Sequence, residues 1–399
     1  MTTASEATRL ISEQMRLWPT QIVSIDECLD HILAEEVRAE RDVPAFDRVT
    51  MDGIAIEHSR FAAGERRFSI AGTQAAGVPP LHVAGAHECV RVMTGAVLPH
   101  GTDTVVPVER LTLTETEAVI EPAAAIGAGQ FVHRQGSDRR RGAAVLEAGT
   151  RIGPPEIAVL ASVGRAALRV SRLPRIAVVS TGDELVGIDE PVAPHQIRSS
   201  NGRAIEAALL RHHCAQVTRR RLRDEPENLL GEITQLHESH DALILSGGVS
   251  MGDFDFVPGA LGQLGARLVF HRIEQKPGRP MWFGVSRDDK PIFALPGNPV
   301  STLVCMTRYV IPALRGALGA PAPAEYARLA AEAADGPPNW TWFVPVTLVS
   351  LDDGTLQAHS HAINTSGDFS SLAGTHGIAE LAPGDAHRRR GSVCSVFRW

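Results

Sequence analysis

Three short apolar runs, Arg175–Ser180 (RIAVVS), Asp241–Ser246 (DALILS) and Pro291–Leu295 (PIFAL), constrain this chain more than any other feature. Each is too short for a buried helix and too uniformly apolar for a strand with one wet face, so each reads as a strand buried on both sides. Helical stretches at roughly 201–213, 226–238 and 300–315 lie between and after them. Buried strands alternating with helices predict a doubly wound parallel sheet with helices on both faces. In such sheets ligands bind at the carboxyl ends of the strands, so the loops after these runs carry the functional expectation.

Those loops are Ser180-Thr181-Gly182-Asp183-Glu184-Leu185, Gly247-Gly248-Val249-Ser250-Met251-Gly252-Asp253-Phe254-Asp255 and Pro296-Gly297-Asn298-Pro299-Val300-Ser301. Any one alone reads as a tight turn. Three together, at successive strand ends, read as a phosphate cradle, because glycines let backbone N–H groups approach an oxyanion. The helix opened by Asn298-Pro299 adds unpaired N–H groups and the positive end of its dipole. G-x-x-x-x-G-K-[ST] and G-x-G-x-x-G are both absent, which excludes a P-loop or a Rossmann fingerprint. Lys276-Pro277-Gly278-Arg279-Pro280 sets two cations on a proline-stiffened stretch and reads as an oxyanion clamp or a solvated hairpin. The carboxylates Asp183, Glu184, Asp224, Asp253 and Asp255 fall in or near the same loops. Either they are solvated, or they hold a hard divalent cation such as Mg²⁺ whose other ligands are phosphate and water.

Elsewhere the pattern changes. Leu10, Ile11, Met15 and Trp18 make a helical stripe over 5–18, ended by Pro19, and Ser24-Ile25-Asp26-Glu27 reads as a capping box opening a second helix. From 42 to 135 short β-like pieces alternate with Gly and Pro, whereas 142–170 reads as helical again around Pro154-Pro155-Glu156. Gly316–Pro323 reads as a linker into a last segment with strand candidates at 342–349, 355–359 and 392–397. The predicted domains are 1–43 with 136–172 (helical), 44–135 (β-rich insert), 173–318 (α/β) and 319–399 (β). A formal charge of -7 and 5% aromatics argue against a nucleic-acid surface. Five scattered cysteines without a CxxC pair predict a reducing, cytoplasmic setting. His212-His213-Cys214 reads as an exposed helix end rather than a metal site, and Arg139–Arg141, Arg219–Arg221 and Arg388–Arg390 as solvated faces or partner contacts. Residues 1–18 lack the apolar core of a secretion signal, and no apolar run is long enough to span a membrane.

Seven segments, in order between residues 44 and 301, carry a resemblance: PAFDRVTMDG (Pro44–Gly53), TGAVLPHGTDTVV (Thr94–Val106), Gly136-Ser137-Asp138, STGDEL (Ser180–Leu185), SGGVSMGDFD (Ser246–Asp255), KPGRP (Lys276–Pro280) and LPGNPVS (Leu295–Ser301). The chain resembles the molybdopterin molybdenumtransferase family, the MoeA proteins and the E domain of gephyrin. The resemblance implies a central molybdopterin-binding α/β domain, an inserted β-rich domain, an elongated helical linker domain and a small C-terminal β-barrel-like domain. It implies insertion of molybdate into adenylyl-molybdopterin with release of AMP, aided by a divalent cation. It also implies a homodimer whose cleft joins the third domain of one subunit to the second domain of the other. Molybdopterin adenylyltransferase and apo-molybdoenzymes are the implied upstream and downstream partners.

On that resemblance Ser180, Thr181, Gly182, Gly247, Gly248, Ser250, Pro296, Gly297, Asn298, Pro299 and Ser301 bind the pterin phosphate and nucleotide. Lys276 and Arg279 hold molybdate, and Asp183, Glu184, Asp224 and Asp255 hold or orient the cation. Asp224 and Asp255 act in catalysis with Asp52 and Thr94, which reach in from the partner. Four positions depart from the family: Val49 for Ser, Ile54 for Tyr, Ser199 for Asp, and Pro345 where a basic residue follows Phe343 by two. They leave open a molybdopterin-binding carrier without turnover, and the shared third-domain fold leaves open adenylyl transfer.

Overall fold

The computed structural model describes residues 1–399 apart from 224, 250–255, 321–322, 334–335 and 337, and apart from the side chains of 226, 227, 385 and 386. At its centre is a six-stranded sheet. Strands Gln216–Leu222, Arg175–Thr181, Ala242–Ser246 and Pro291–Leu295 run parallel in that order, followed by Trp282–Val285 and Arg267–His271. These last two are antiparallel, so the sheet is mixed where the apolar runs predicted a parallel one. The difference comes from Trp282–Val285, antiparallel to both its neighbours because the segment containing Lys276–Pro280 joins it to the edge strand Arg267–His271 as a long hairpin and a short turn joins it to Pro291–Leu295, where a parallel crossover would need a helix.

Both faces of the sheet are covered, and the side-chain alternation of the strands explains how. Ile176, Val178, Ile244, Phe293 and Leu295 point into a core with Ile205 of helix Asn201–Arg211 and Val300 and Val304 of helix Pro299–Cys305. Their neighbours Ala177, Val179, Leu243, Leu245 and Ala294 point the other way, onto Leu229 and Ile233 of helix Pro226–Ser239 and Leu261 of Val257–Gln263. A period of two between two apolar layers accounts for the unbroken apolar runs. The helix at Pro299 continues through a π-helical turn, Met306–Val310, into Ile311–Ala317.

The N-terminal region is less helical than expected. Helix Ala4–Gln14 forms and buries Ala4, Ala7 and Ile11 in the central core. Ser24 makes no capping bond, the chain makes only a single turn at Ile25–Glu27, and no second helix follows. Residues Thr20–Ser24 instead pair antiparallel with Ala167–Ser171, and Val37–Arg38 pairs with Ala144–Leu146. Ile32 and Leu33 make isolated bridges to Arg151 and Val170, so a long-range ladder overrides the local cap signal. Helix Pro154–Ser162 forms at the proline pair.

Residues 53–120 contain a second six-stranded sheet, ordered Thr104–Pro107, Gly53–Ile56, Glu88–Val92, Arg67–Gln74, Glu117–Ile120, Leu111–Leu113. After residue 324, strands Glu325–Leu329, Thr341–Ser350, Leu356–Ser360, Gly377–Leu381 and Val393–Arg398 close into a five-stranded barrel, because Thr341–Ser350 pairs with both Leu356–Ser360 and Gly377–Leu381. A sixth, two-residue strand, Gln275–Lys276, leaves the central domain to pair with Thr341 and Trp342. It carries the KPGRP loop onto the barrel. Among the described residues, no helix is long and apolar enough to cross a membrane.

Candidate functional site

The carboxyl ends of the central strands and the barrel face each other across a cleft of about 1120 Å³. Thirteen of the residues expected from sequence line it: Ser180, Thr181, Gly182, Glu184, Gly247, Gly248, Lys276, Arg279, Pro296, Gly297, Asn298, Pro299 and Ser301. Asp183 is next to this lining without being part of it. Asp224, Ser250, Asp253 and Asp255 lie outside the described residues.

On the cleft floor the backbone sets the shape. Gly247 has φ +100° and its N–H donates to Leu295 O at 3.3 Å, tying two strand ends together. A Cβ on Gly247 would fall 2.5 Å from Thr181 O, so only glycine lets these loops come so close. Ser180 Oγ, Thr181 Oγ1 and Asn201 Oδ1 are buried and have no hydrogen-bond partner among the described residues. A buried polar atom left unpaired costs about 1–3 kcal/mol, which a polar ligand can recover. Asn201 was not singled out from the sequence, yet it organises the floor. Its Nδ2 donates to Ser246 Oγ at 2.9 Å and to Gly297 O at 2.7 Å, joining the helix start to two strand ends. Its place in Ser199-Ser200-Asn201, opening a helix after a strand, was the available signal.

The helix start at Pro299 differs from expectation. Val300 N–H donates to Ser366 O at 3.0 Å and Asn298 Nδ2 to Ser366 Oγ at 2.8 Å, so a barrel loop takes up one of the N–H groups expected to be unpaired. That loop, with Trp340, Trp342, His361 and Asn364, makes the opposite wall. No motif in the sequence marked it. Lys276 and Arg279 are exposed to the cleft, and the Arg279 guanidinium lies 4.9 Å from the centre of the Trp340 ring, in cation–π range.

Asp52 and Thr94 do not line this cleft; they meet each other on the 53–120 sheet. The antiparallel register of Gly53 opposite Val92 brings them together, and Thr94 N–H and Oγ1–H both donate to Asp52 Oδ1 at 2.7 Å. Those two donors hold the Asp52 carboxyl below the usual range, so it is an exposed, ionised acid. Val49 and Ile54, two of the departures, are buried in the core of this region.

Two other sequence readings change. His212 and His213 are half-buried and Cys214 fully buried, with His213 edge-on to His31 at 5.1 Å, so this is a packed junction and not an exposed helix end. Arg388 is buried against Trp342 and donates to Gly336 O, whereas Arg219 and Arg221 form ion pairs with Glu206 and Glu190. All five cysteines are free and buried.

Residues 2–164 match the MoeA N-terminal region (domain I and II), and residues 177–316 match a model described as "Probable molybdopterin binding domain". A Synechocystis protein named molybdopterin molybdenumtransferase is 35% identical over 386 residues, covering 96% of either chain. The chain belongs to the molybdopterin molybdenumtransferase family. A Bacillus subtilis member is 30% identical over 400 residues, 98% of this chain and 93% of its own. The solved molybdopterin biosynthesis MoeA protein of Pyrococcus horikoshii superposes with a TM-score of 0.83 at 29% identity, covering 100% of this chain and 99% of its own. The family fold therefore extends over the whole chain, barrel included.

Proposed function

We propose that this chain takes adenylyl-molybdopterin and molybdate, places molybdenum at the dithiolene sulfurs and releases AMP. The observation that carries the reading is a cleft lined both by the strand-end loops, whose Ser180 and Thr181 hydroxyls are buried without a partner among the described residues, and by the cations Lys276 and Arg279. The Ser180 and Thr181 hydroxyls and the turns at Gly247 and Pro296–Pro299 bind and orient phosphate and nucleotide. Lys276 and Arg279 hold molybdate, a tetrahedral dianion, by charge and N–H donation. Proximity of bound oxyanion and bound pterin is then the main source of acceleration.

Among the described residues, the free donors on the cleft floor are oxygens: the Glu184 carboxylate, two hydroxyls and Asn201 Oδ1. That chemistry suits a hard cation, and Mg²⁺ takes one or two carboxylates with phosphate and water completing its shell. Glu184 would hold it, with Asp183, Asp224 and Asp255 from the same loops. Among the described residues no cluster of three or more His, Cys, Asp or Glu is placed to bind a metal. When bound, such a cation neutralises phosphate charge and polarises the linkage that breaks.

The exposed Asp52–Thr94 pair, outside the lining of its own cleft, serves the cleft of a second copy, which makes the working unit a homodimer. The test is AMP release from adenylyl-molybdopterin with Mg²⁺, with and without molybdate. Molybdate-dependent release supports the transferase. Tight pterin binding without release would make the chain a carrier, and ATP consumption without molybdate would make it an adenylyltransferase.

A further inference from the structure

The KPGRP loop rests on a buried polar network that the transferase reading does not use. Gln275 is 0% exposed and Tyr309 2% exposed. The Tyr309 hydroxyl donates to Gln275 Oε1, and Gln275 Nε2 donates to Pro277 O at 3.0 Å. Cys305 Sγ donates to Gly278 O at 3.5 Å. Gly278 has φ +92°, and a Cβ there would fall 2.6 Å from Gln275 Nε2 and 2.7 Å from Cys305 Sγ, so the loop is pressed directly onto these two side chains. Gln275 is also paired to Thr341 of the barrel, and Lys276 to Trp342. The loop is therefore held from below by side chains and from one edge by a strand.

Cys305 and Tyr309 belong to the same continuous helical run that begins at Pro299 in the cleft. The π-helical turn Met306–Val310 carries Tyr309, and such turns shift side-chain direction relative to a regular α-helix. One rigid rod thus touches the phosphate loop at its start and the cation loop further along. Gln275 Nε2 also donates to Cys305 Sγ at 3.7 Å, and an amide buried in low dielectric with its oxygen and its nitrogen both engaged has little freedom to rotate, so its contacts fix the backbone it holds.

We infer that Tyr309 and Gln275 are positioning residues that set the Lys276–Arg279 clamp at a fixed distance from the phosphate loop and so determine oxyanion affinity. This inference rests on the transferase reading, in which Lys276 and Arg279 hold molybdate. Tyr309 does not line the cleft, and Gln275 borders it with its side chain fully buried beneath the loop; both act through the backbone at Pro277 and Gly278.

Tyr309→Phe removes one hydroxyl and no ring volume. The expected result is a rise of about tenfold in the molybdate concentration giving half-maximal AMP release, with kcat at saturating molybdate within about twofold of wild type. Gln275→Glu keeps an acceptor for Tyr309 but loses the donor to Pro277, and shifts the same constant the same way. Combined with Lys276→Ala, Tyr309→Phe adds less than its full loss, because one of the two side chains it positions is gone. Calorimetric titration with molybdate alone shows the same weakening without turnover. Unchanged half-saturation in both single variants, or equal loss of kcat and affinity that adds fully to Lys276→Ala, overturns the inference while leaving the transferase reading in place. A wild-type chain that releases no AMP and binds no molybdate removes the transferase reading itself.

Discussion

Gly247→Ala tests the steric logic of the cleft floor. The new Cβ would fall 2.5 Å from Thr181 O, whereas a carbon ordinarily approaches a carbonyl oxygen to about 3.3 Å. The Thr181 carbonyl or the 247–248 turn must therefore move by about 0.8 Å. The φ of +100° adds backbone strain of about 1–2 kcal/mol for an L-residue. Overpacking against backbone adds about 1–3 kcal/mol, for a total of about 2–5 kcal/mol. Rotation in place gives no relief, because Gly247 N–H is bonded to Leu295 O. A displacement near 1 Å in a positioning loop costs about 100-fold in rate, so kcat/KM for AMP release should fall by that order. Gly297→Ala is the internal control. It lies at the next strand end, and its Cβ would meet only Gly247 Cα, at an ordinary 3.5 Å. Urea unfolding should show a lower midpoint for Gly247→Ala and a change within about 0.5 kcal/mol for Gly297→Ala. Equal midpoints together with near-wild-type turnover in Gly247→Ala would show that the turn accepts a side chain and that its backbone does not position the cleft.

Gly231 lies in the exposed interior of helix Pro226–Ser239 with nothing within 4 Å of a Cβ position, so Gly231→Ala should stabilise by about 0.5–1 kcal/mol in urea unfolding; a destabilisation would show the helix is mis-assigned. Burial holds His31, His212 and His213 below their ordinary 6.5, with added repulsion from His213 at His31, from Arg315 and Arg211 at His212, and from Arg151 at His213. The unfolded chain then binds protons that the folded chain refuses, so stability is full above pH 6.5 and declines as pH falls through that value toward the folded-state pKa values. His213→Gln should flatten the decline in urea midpoints between neutral and mildly acid pH, and an unchanged slope would exclude the junction as its source. At a molybdate concentration where neither parent homodimer turns over measurably, mixing Asp52→Asn with Lys276→Ala subunits should recover about a quarter of wild-type AMP release, since half the dimers are hybrids and each hybrid has one intact cleft. No recovery after verified subunit exchange would place Asp52 and Lys276 in the same chain's site.

The central strands were legible because burial on both faces leaves an apolar run that no surface helix mimics; 175–181, 242–246 and 291–295 are all present. Their loops were legible because Gly247 and Gly248 answer a local demand for left-handed backbone. The region around Ser24 was misread because a cap signal is local, whereas the ladder to 167–171 depends on contacts far along the chain. Asn201 and Gln275 escaped notice since their roles lie in partners that only folding brings near. The barrel wall at Trp340 and 360–367 has no motif at all; it faces the cleft because Gln275–Lys276 and Ser366 dock the barrel there. Asp52 and Thr94 were visible as two motifs, but their mutual hydrogen bonds come from strand register.

In the proposed function one cleft seats nucleotide phosphate on the strand ends and molybdate against the KPGRP loop. Crystals of the wild-type chain soaked with AMP, Mg²⁺ and molybdate test it directly through the anomalous signal of molybdenum. The expected result is a molybdenum peak within hydrogen-bonding reach of Lys276 and Arg279, with AMP phosphate on the Gly247 and Pro296–Pro299 turns. A molybdenum peak outside the cleft, with Lys276 and Arg279 contacting neither ligand, would contradict it.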